Sequence, residues 1–221
     1  MIKYLKRLDI FTKNIIIVFA GTFLANFLNL LYQLLIAHKL SAAEFAAFNS
    51  LLSIFMIVSS PLGTIQMAIA KYSAEFNANN QINKLKALFS DLFKKVSILG
   101  ALTLLFFCFA SGHIINTLKI TSVSLGYILA ALLALAWISP LLAGGVQGLE
   151  LFGWLTVGSV VTIVFKLALA FIFILLGYSI AGALGALLIS SLISSIFALS
   201  NSLSRQSMTS SSSSGSTLHV E

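Results

Sequence analysis

The feature that most constrains the fold is a series of long apolar runs that contain almost no charged residue. Of the 221 residues, 59% are apolar and only 9% carry a formal charge, whereas an ordinary soluble domain has about a quarter charged residues. A helix that spans a bilayer needs about 20 apolar residues, and a charge at the bilayer centre costs roughly 2.5 to 3.5 kcal/mol on insertion scales. The runs between charges therefore predict transmembrane helices.

Division of the chain at its charged and turn-forming residues predicts an all-α fold, a polytopic bundle of six transmembrane helices. Residues 1–14 form a basic cytoplasmic or interfacial segment, and the Ser-rich residues 200–221 are predicted to be disordered because they cannot bury apolar surface. Pro61 and Gly63 are expected to bend the second helix. The six-helix transmembrane lobe, residues 15–199, has its spans at approximately 15–37, 45–70, 96–115, 125–146, 155–176 and 180–199.

Lysine and arginine are distributed unequally between the two ends of this bundle. If the N-terminus lies in the cytoplasm, only Lys39 and Lys119 fall on the opposite side, and an excess of basic residues in short loops marks the cytoplasmic face. The sequence therefore predicts a multi-pass protein of the cytoplasmic (inner) membrane, in contact with membrane lipid. The basic residues on the predicted cytoplasmic side are Lys3, Lys6, Arg7, Lys13, Lys71, Lys84, Lys86, Lys94, Lys95 and Arg205.

The segment of residues 81–96 is amphipathic and precedes the third span. Its apolar side chains fall on one helical face, with the lysines largely elsewhere. Two interpretations stay open. The segment is either an interfacial helix on anionic lipid or a simple extension of the third span.

Polar side chains inside the predicted spans indicate a hydrated route, because hydrocarbon offers them no hydrogen-bond partner. Lys166 lies about 11 residues, roughly 16 Å, from the start of the fifth helix, which is mid-bilayer depth. We expect it to line a water-filled cavity or to meet an anionic ligand, and the alternative is a hydrogen bond to helix carbonyls at a packing contact. The amides and hydroxyls inside the spans either line the same cavity or join the helices to one another by hydrogen bonds. The polar faces are Asn26, Asn29 and Gln33 on the first helix, Asn49, Ser53, Ser60 and Thr64 on the second, and Ser159, Thr162 and Lys166 on the fifth.

The sequence contains none of the residue sets that carry common enzymatic chemistry. It has no Ser, His and Asp set and no Walker or Gly-rich phosphate loop, and its single cysteine, Cys108, gives no metal-ligand spacing. The basic residues lie beside apolar runs and not on a polar stripe, which does not favour nucleic acid. We therefore expect no enzymatic activity, catalytic residue, metal, cofactor or nucleic-acid partner. No Asp or Glu falls inside a predicted span, so no carboxylate is available there for proton or sodium coupling.

Two stretches of the chain resemble a known family. Residues 25–76, ANFLNLLYQLLIAHKLSAAEFAAFNSLLSIFMIVSSPLGTIQMAIAKYSAEF, resemble the first two helices of polysaccharide and lipid-linked oligosaccharide flippases, the O-antigen flippases among them. Residues 141–155, LLAGGVQGLELFGWL, followed by Lys166 and by LLGYSIAGALGALL, resemble their junction between helices 4 and 5 and their turn into helix 6. These flippases belong to the multidrug, oligosaccharidyl-lipid and polysaccharide exporter superfamily, in which two six-helix lobes enclose a central cavity and alternate access.

The resemblance implies a role for particular residues. Gln147, Gly148 and Phe152 match the junction motif, and Lys166 matches a position in helix 5 where such flippases tend to place a basic residue. Leu151 departs from the pattern, because the junction usually has Arg or Lys there. The chain resembles an N-terminal six-helix half, so a complete pathway would require a second lobe, a partner chain or a homodimer.

These features together predict a flippase, or the N-terminal half of one, that moves an undecaprenyl-diphosphate-linked glycan for polysaccharide biosynthesis across the membrane by alternating access. Two alternatives stay open: a multidrug or cation antiporter of the same superfamily, which would need a membrane-embedded acid, and a non-transporting scaffold subunit or inactive fragment. The expected substrate-binding residues are Lys166 and Lys71 for the diphosphate, with Asn26, Asn29, Gln33, Gln66 and Thr162 as polar groups of the pathway.

Overall fold

The computed structural model describes residues 2–79, 81–120, 122–149 and 152–215. Within these ranges the regular elements are all α-helices, and no strand occurs, which confirms the predicted all-α fold. The helices, in chain order, are α1 (Ile2–Lys39), α2 (Ala42–Ser59), α3 (Leu62–Ala78), α4 (Ile82–Thr117), α5 (Ser124–Ala136), α6 (Ile138–Gly148), α7 (Phe152–Leu175) and α8 (Ser179–Gly215).

Six segments of the described chain are long and apolar enough to cross a membrane, as the sequence predicted. Large apolar side chains are exposed on their outer faces, among them Phe19, Phe23 and Phe109. A helix that is apolar on all sides is typical of a membrane span, so the chain is a multi-pass membrane protein. The segments are Ile15–Lys39, Ala42–Ser59, Asn83–Thr117, Ser124–Gly148, Phe152–Leu175 and Ser179–Ala198.

Two of the predicted spans are broken near a proline. The second, residues 45–70, divides into α2 and α3, because Pro61 has no N–H to donate and its ring clashes with the preceding turn. The fourth span divides at Trp137, between α5 and α6, and Pro140 lies in the first turn of α6. Pro140 cannot donate to the carbonyl of Ala136, so one helical hydrogen bond is missing there.

The third span extends far beyond a bilayer. α4 has 36 residues, so at 1.5 Å per residue it is about 54 Å long, whereas a hydrocarbon core is about 30 Å thick. The apolar face of its first turns packs on protein: Leu85 and Val96 are buried, and Phe89 lies against Gly145 of α6. Residues 82–96 are therefore helically continuous with the third span, and part of their apolar face packs against α3 and α6, while Phe93 is 44% exposed.

The last helix is longer than the predicted sixth span, residues 180–199. α8 runs to Gly215, into the Ser-rich segment for which composition predicts disorder. Once a helix has formed, each further residue adds a hydrogen bond for every residue fixed, so the helix continues from its apolar part into the serines. Residues 216–221 lie outside the described residues.

In addition to the buried residues between α3, α4 and α6, one cluster of buried apolar side chains lies at the end of the bundle where α1 and α4 end and where α2, α5 and α8 begin. Ile36, Phe48, Ile115, Leu129 and Leu184 are almost completely buried there. We call this end the packed end. The opposite end is the lysine-rich end, which carries exposed Lys71, Lys84, Lys86, Lys94 and Lys95.

Glycines bring α6 close to α3. A Cβ added at Gly144 would lie 2.7 Å from the carbonyl oxygen of Gln66, and one added at Gly148 would lie 2.5 Å from that of Ala70. The two glycines are four residues apart, so they share one helix face and allow the backbones to approach. Gly148, which matches the junction motif, is thus a helix-packing residue.

We expect Gly148→Ala to lower the stability of the chain, because the added methyl group meets backbone atoms of α3 that cannot move aside. Overpacking of this kind costs roughly 1 to 3 kcal/mol, which should lower the unfolding temperature in detergent by several degrees. Gly153→Ala is the matched control, since nothing lies within 4 Å of a Cβ at that position. Equal unfolding temperatures for the two variants would contradict the close α3–α6 contact.

Candidate substrate cavity

A cavity of about 400 Å³ lies between α1, α2, α5, α6, α7 and α8, on the inner side of the packed end. One side of it is apolar, where Leu51, Leu52 and Phe55 of α2 meet Leu129 and Leu132 of α5. The other side, which we call the polar side, has polar residues together with the apolar residues Ala25, Ile163, Leu184 and Leu187. Its polar residues are Asn26 and Asn29 of α1, Ser139 of α6, Ser159, Thr162 and Lys166 of α7, and Ser190, Ser191 and Ser194 of α8.

Lys166 is the only charged residue among the described residues that line this cavity. Its Nζ atom donates a hydrogen bond to Oδ1 of Asn29 at 2.6 Å and lies 4.2 Å from the centroid of the Tyr32 ring. A cation within about 6 Å of an aromatic centroid is attracted by the ring's electron-rich face. Both partners are neutral, so the positive charge is held in place without being neutralised.

Tyr32 fixes the position of this cation, a role that was not predicted from the sequence. Only 1% of its surface is exposed, and its hydroxyl donates to the carbonyl oxygen of Ala183 on α8 at 3.1 Å. The ring therefore joins α1 to α8 while its face meets Lys166 of α7. A signal was present, because Tyr32 follows Asn29 by three residues and so lies on the same side of α1.

The hydroxyl groups of the polar side are oriented by their own helices. Thr162 donates to the carbonyl oxygen of Gly158 at 2.7 Å, and Ser159 donates to that of Leu155 at 2.9 Å. Ser190 and Ser191 donate in the same way to Leu187 and Leu188. A hydroxyl has one donor and two acceptor lone pairs, so these groups offer acceptors to a ligand in the cavity, while Lys166 offers donors.

A second cavity, of about 290 Å³, adjoins the first and lies nearer the lysine-rich end. Ser139, Ser159 and Ser194 line both cavities, which makes them neighbours. Gln66 of α3 belongs to the second cavity, where its Nε2 donates to Oε1 of Gln147 at 3.3 Å. Two residues that the sequence placed in separate groups, one on the pathway and one in the junction motif, are therefore in contact.

The remaining candidate residues do not line either of these cavities. Gln33 is half-buried on α1. Lys71 is exposed at the lysine-rich end, with Nζ 5.9 Å from the centroid of the Tyr72 ring. Phe152 is 37% exposed at the start of α7.

Asn49 and Ser53, on the polar face predicted for the second helix, do not line the first cavity either. Asn49 donates to the carbonyl oxygen of Phe45, and Ser53 donates to that of Asn49. α2 satisfies these polar groups within itself, and it presents leucine and phenylalanine side chains to the cavity instead.

Neither cavity has an acidic residue among its described lining. Among the described residues there is also no group of three His, Cys, Asp or Glu side chains that could hold a metal ion. What the first cavity does offer is a fixed cation, amides and hydroxyls on one side and an apolar surface on the other. This combination can bind an anionic, hydroxyl-rich group without any covalent chemistry.

Comparison with known proteins confirms the family resemblance. A family model described as polysaccharide biosynthesis protein matches residues 11–211, a range that includes all six spans. No curated protein and no solved structure gave a match.

We expect the cavity to contain water, and cysteine labelling can measure this. In a Cys108→Ala background, Ser159→Cys should react with a charged, membrane-impermeant maleimide at least about tenfold faster than Phe109→Cys, because the reactive thiolate does not form in hydrocarbon. Phe109 is 89% exposed on the outer, apolar surface and is the matched control. Equally slow labelling of both cysteines would mean that the cavity is dry.

Proposed function

Since the chain belongs to the polysaccharide biosynthesis protein family, we propose that it is a flippase, or the N-terminal six-helix half of one. It moves lipid-linked oligosaccharide precursors, such as an undecaprenyl-diphosphate-linked glycan, across the cytoplasmic (inner) membrane by alternating access. The observation that supports this proposal is the position of Lys166, a cation near the middle of α7 on the wall of a polar cavity.

Electrostatics favours a diphosphate as the group that meets Lys166. The partners of its ammonium group, Asn29 and Tyr32, are neutral, so the site carries a net positive charge in surroundings of low dielectric constant. An anion is attracted more strongly there than in water, and a hydrogen bond between an ammonium and a phosphate oxygen is stronger than one between neutral groups. The exposed Lys71 adds positive charge at the lysine-rich end, where the headgroup would enter.

The two sides of the cavity suit an amphiphilic substrate. The hydroxyls and amides of α1, α7 and α8 can exchange hydrogen bonds with sugar hydroxyls, and the leucines of α2 and α5 can contact the first part of a polyprenyl chain. Asn26 and Asn29 are exposed in the single chain. A second six-helix lobe, a partner chain or a homodimer would cover this side and complete the pathway.

The shape of the bundle supports loading from the cytoplasm. The core is closed at the packed end, and both cavities lie between it and the lysine-rich end. An excess of lysine marks the cytoplasmic side of a membrane protein. We propose that the lysine-rich end is cytoplasmic, and the described conformation then corresponds to a lobe that accepts substrate from inside.

A multidrug or cation antiporter is the second candidate function in this superfamily. It needs an acidic group to bind a cation, whereas the described lining of the first cavity holds Lys166 and no carboxylate. Lys166 would repel a cationic substrate. The charge of the cavity therefore favours an anionic headgroup over a cationic drug.

The test is translocation of a fluorescent lipid-linked oligosaccharide in proteoliposomes that contain the chain together with any lobe or partner that co-purifies with it. Lys166→Ala should lower the rate at least about tenfold, because a hydrogen bond to a charged group contributes roughly 1.5 to 3 kcal/mol and about 1.4 kcal/mol corresponds to tenfold. Lys166→Arg should retain most of the rate.

Lys39→Ala is the matched control, because it removes one exposed lysine from the end of α1, far from the cavity. An unchanged rate for Lys166→Ala would remove Lys166 from the pathway. A purified chain that is stable and bound to partners, yet translocates nothing, would favour the scaffold alternative.

A further inference from the structure

The second cavity differs chemically from the cavity of Lys166. No charged residue occurs among the residues that line it in the described chain. It has instead an amide, Gln66, and a pair of aromatic rings, Trp154 of α7 and Phe197 of α8, whose centroids are 6.1 Å apart with a tilt of 49°. Trp154 lines the cavity and is 47% exposed. An uncharged amide beside an aromatic surface is not a site for the diphosphate itself.

We infer that the second cavity is a saccharide subsite, which binds a sugar ring distant from the diphosphate. This inference rests on the proposed function and adds to it the residues that bind the distant part of the glycan. It assigns Trp154 and Gln66 as specificity-determining residues.

The chemistry of the lining matches that of a pyranose. A sugar ring has faces of C–H groups and a rim of hydroxyls, and the electron-rich face of an aromatic ring attracts the slightly positive C–H groups. Gln66 uses one N–H in its bond to Gln147. An amide has two N–H donors and a carbonyl oxygen with two lone pairs, so Gln66 can also bond to vicinal hydroxyls at the edge of a ring stacked on Trp154.

The distance between the two subsites sets the length of the headgroup. Trp154 and Lys166 are separated by twelve positions on α7, which at 1.5 Å per residue is about 18 Å along the helix. A diphosphate with one sugar is too short to reach both residues. A chain of several sugars can reach from Lys166 to Trp154, and it would pass Ser139, Ser159 and Ser194, which line both cavities.

The size of the second cavity limits what it holds. Its volume of about 290 Å³ lies at the lower limit of ordinary ligand pockets, roughly 300 to 1,000 Å³. It therefore accommodates one sugar ring and not a whole glycan. The remaining sugars occupy the larger cavity and the region between the two.

The experiment measures binding of three probes to the chain in nanodiscs: a polyprenyl diphosphate without sugar, the same lipid with one N-acetylglucosamine, and the same lipid with a tetrasaccharide. The tetrasaccharide should increase affinity over the single sugar at least about fivefold, the scale of one aromatic contact with one amide hydrogen bond. Trp154→Leu and Gln66→Leu should each bring the ratio of tetrasaccharide to monosaccharide affinity close to one. Trp154→Tyr, which keeps an aromatic ring, should preserve much of it.

Trp137 provides both the control and the reporter. It is the other of the two tryptophans, and its Nε1 donates to Thr103 of α4 at 2.9 Å, away from both cavities. Trp137→Phe should keep the affinity ratio of the wild type. In that variant Trp154 is the only tryptophan, so its fluorescence should change with the tetrasaccharide and not with the lipid that carries no sugar.

The outcomes separate the subsite from the proposed function. If all three probes bind with equal affinity, or if Trp154→Leu keeps the full ratio, the saccharide subsite is wrong while binding of the diphosphate at Lys166 still stands. If no probe binds, both the flippase proposal and the subsite are wrong. A fluorescence change caused equally by the sugar-free lipid would place the lipid chain in the second cavity and also overturn the inference.

Discussion

One physical constraint sets the surroundings of Lys166: a charged group at membrane depth must find polar partners or water within the protein. The chain meets this constraint with an amide on α1 and the face of a tyrosine ring, and neither partner cancels the charge. A carboxylate in the same place would have formed an ion pair and left no attraction for an anion. Because the partners are neutral, the same interactions that stabilise the lysine also keep it available to a ligand.

The position of the cavities follows from how the bundle is packed. Apolar side chains from the helix ends form a continuous core at the packed end, and they close that end. Towards the lysine-rich end, glycines bring α6 against α3, while the second and fourth spans are interrupted near Pro61 and Pro140. The space between α7, α8 and these helices remains open. A polar hollow is possible there because the hydroxyls of α7 and α8 are already satisfied by carbonyls of their own helices.

Much of the candidate site could be predicted from the sequence, and the reasons for the failures are physical. A lysine in an apolar run has few stable environments, so its depth alone indicated a cavity, and helical spacing placed Asn29 on a polar face of α1. Gln33 lies one turn beyond Asn29 on the same helix, but it does not line the cavity. Helical spacing predicts which side chains share a face and does not predict how far along the helix a cavity extends. Tyr32 was missed because a tyrosine in an apolar run looks like an ordinary packing residue. Its role depends on the carbonyl of Ala183, which is 151 positions away.

The sequence by itself determined that lipid surrounds the helices, how many spans there are and where Lys166 lies along its span. These properties depend only on the length of each apolar run and on the positions of the charges. The sequence also placed an interruption in the second span at Pro61, since proline acts on its own backbone. Only the tertiary structure decided which polar faces meet. In lipid a helix has no apolar side that must turn inward, so its rotation is set by packing with its neighbours. That packing brought Lys166 to Asn29 and Gln66 to Gln147, and it turned the polar groups of α2 back onto their own helix.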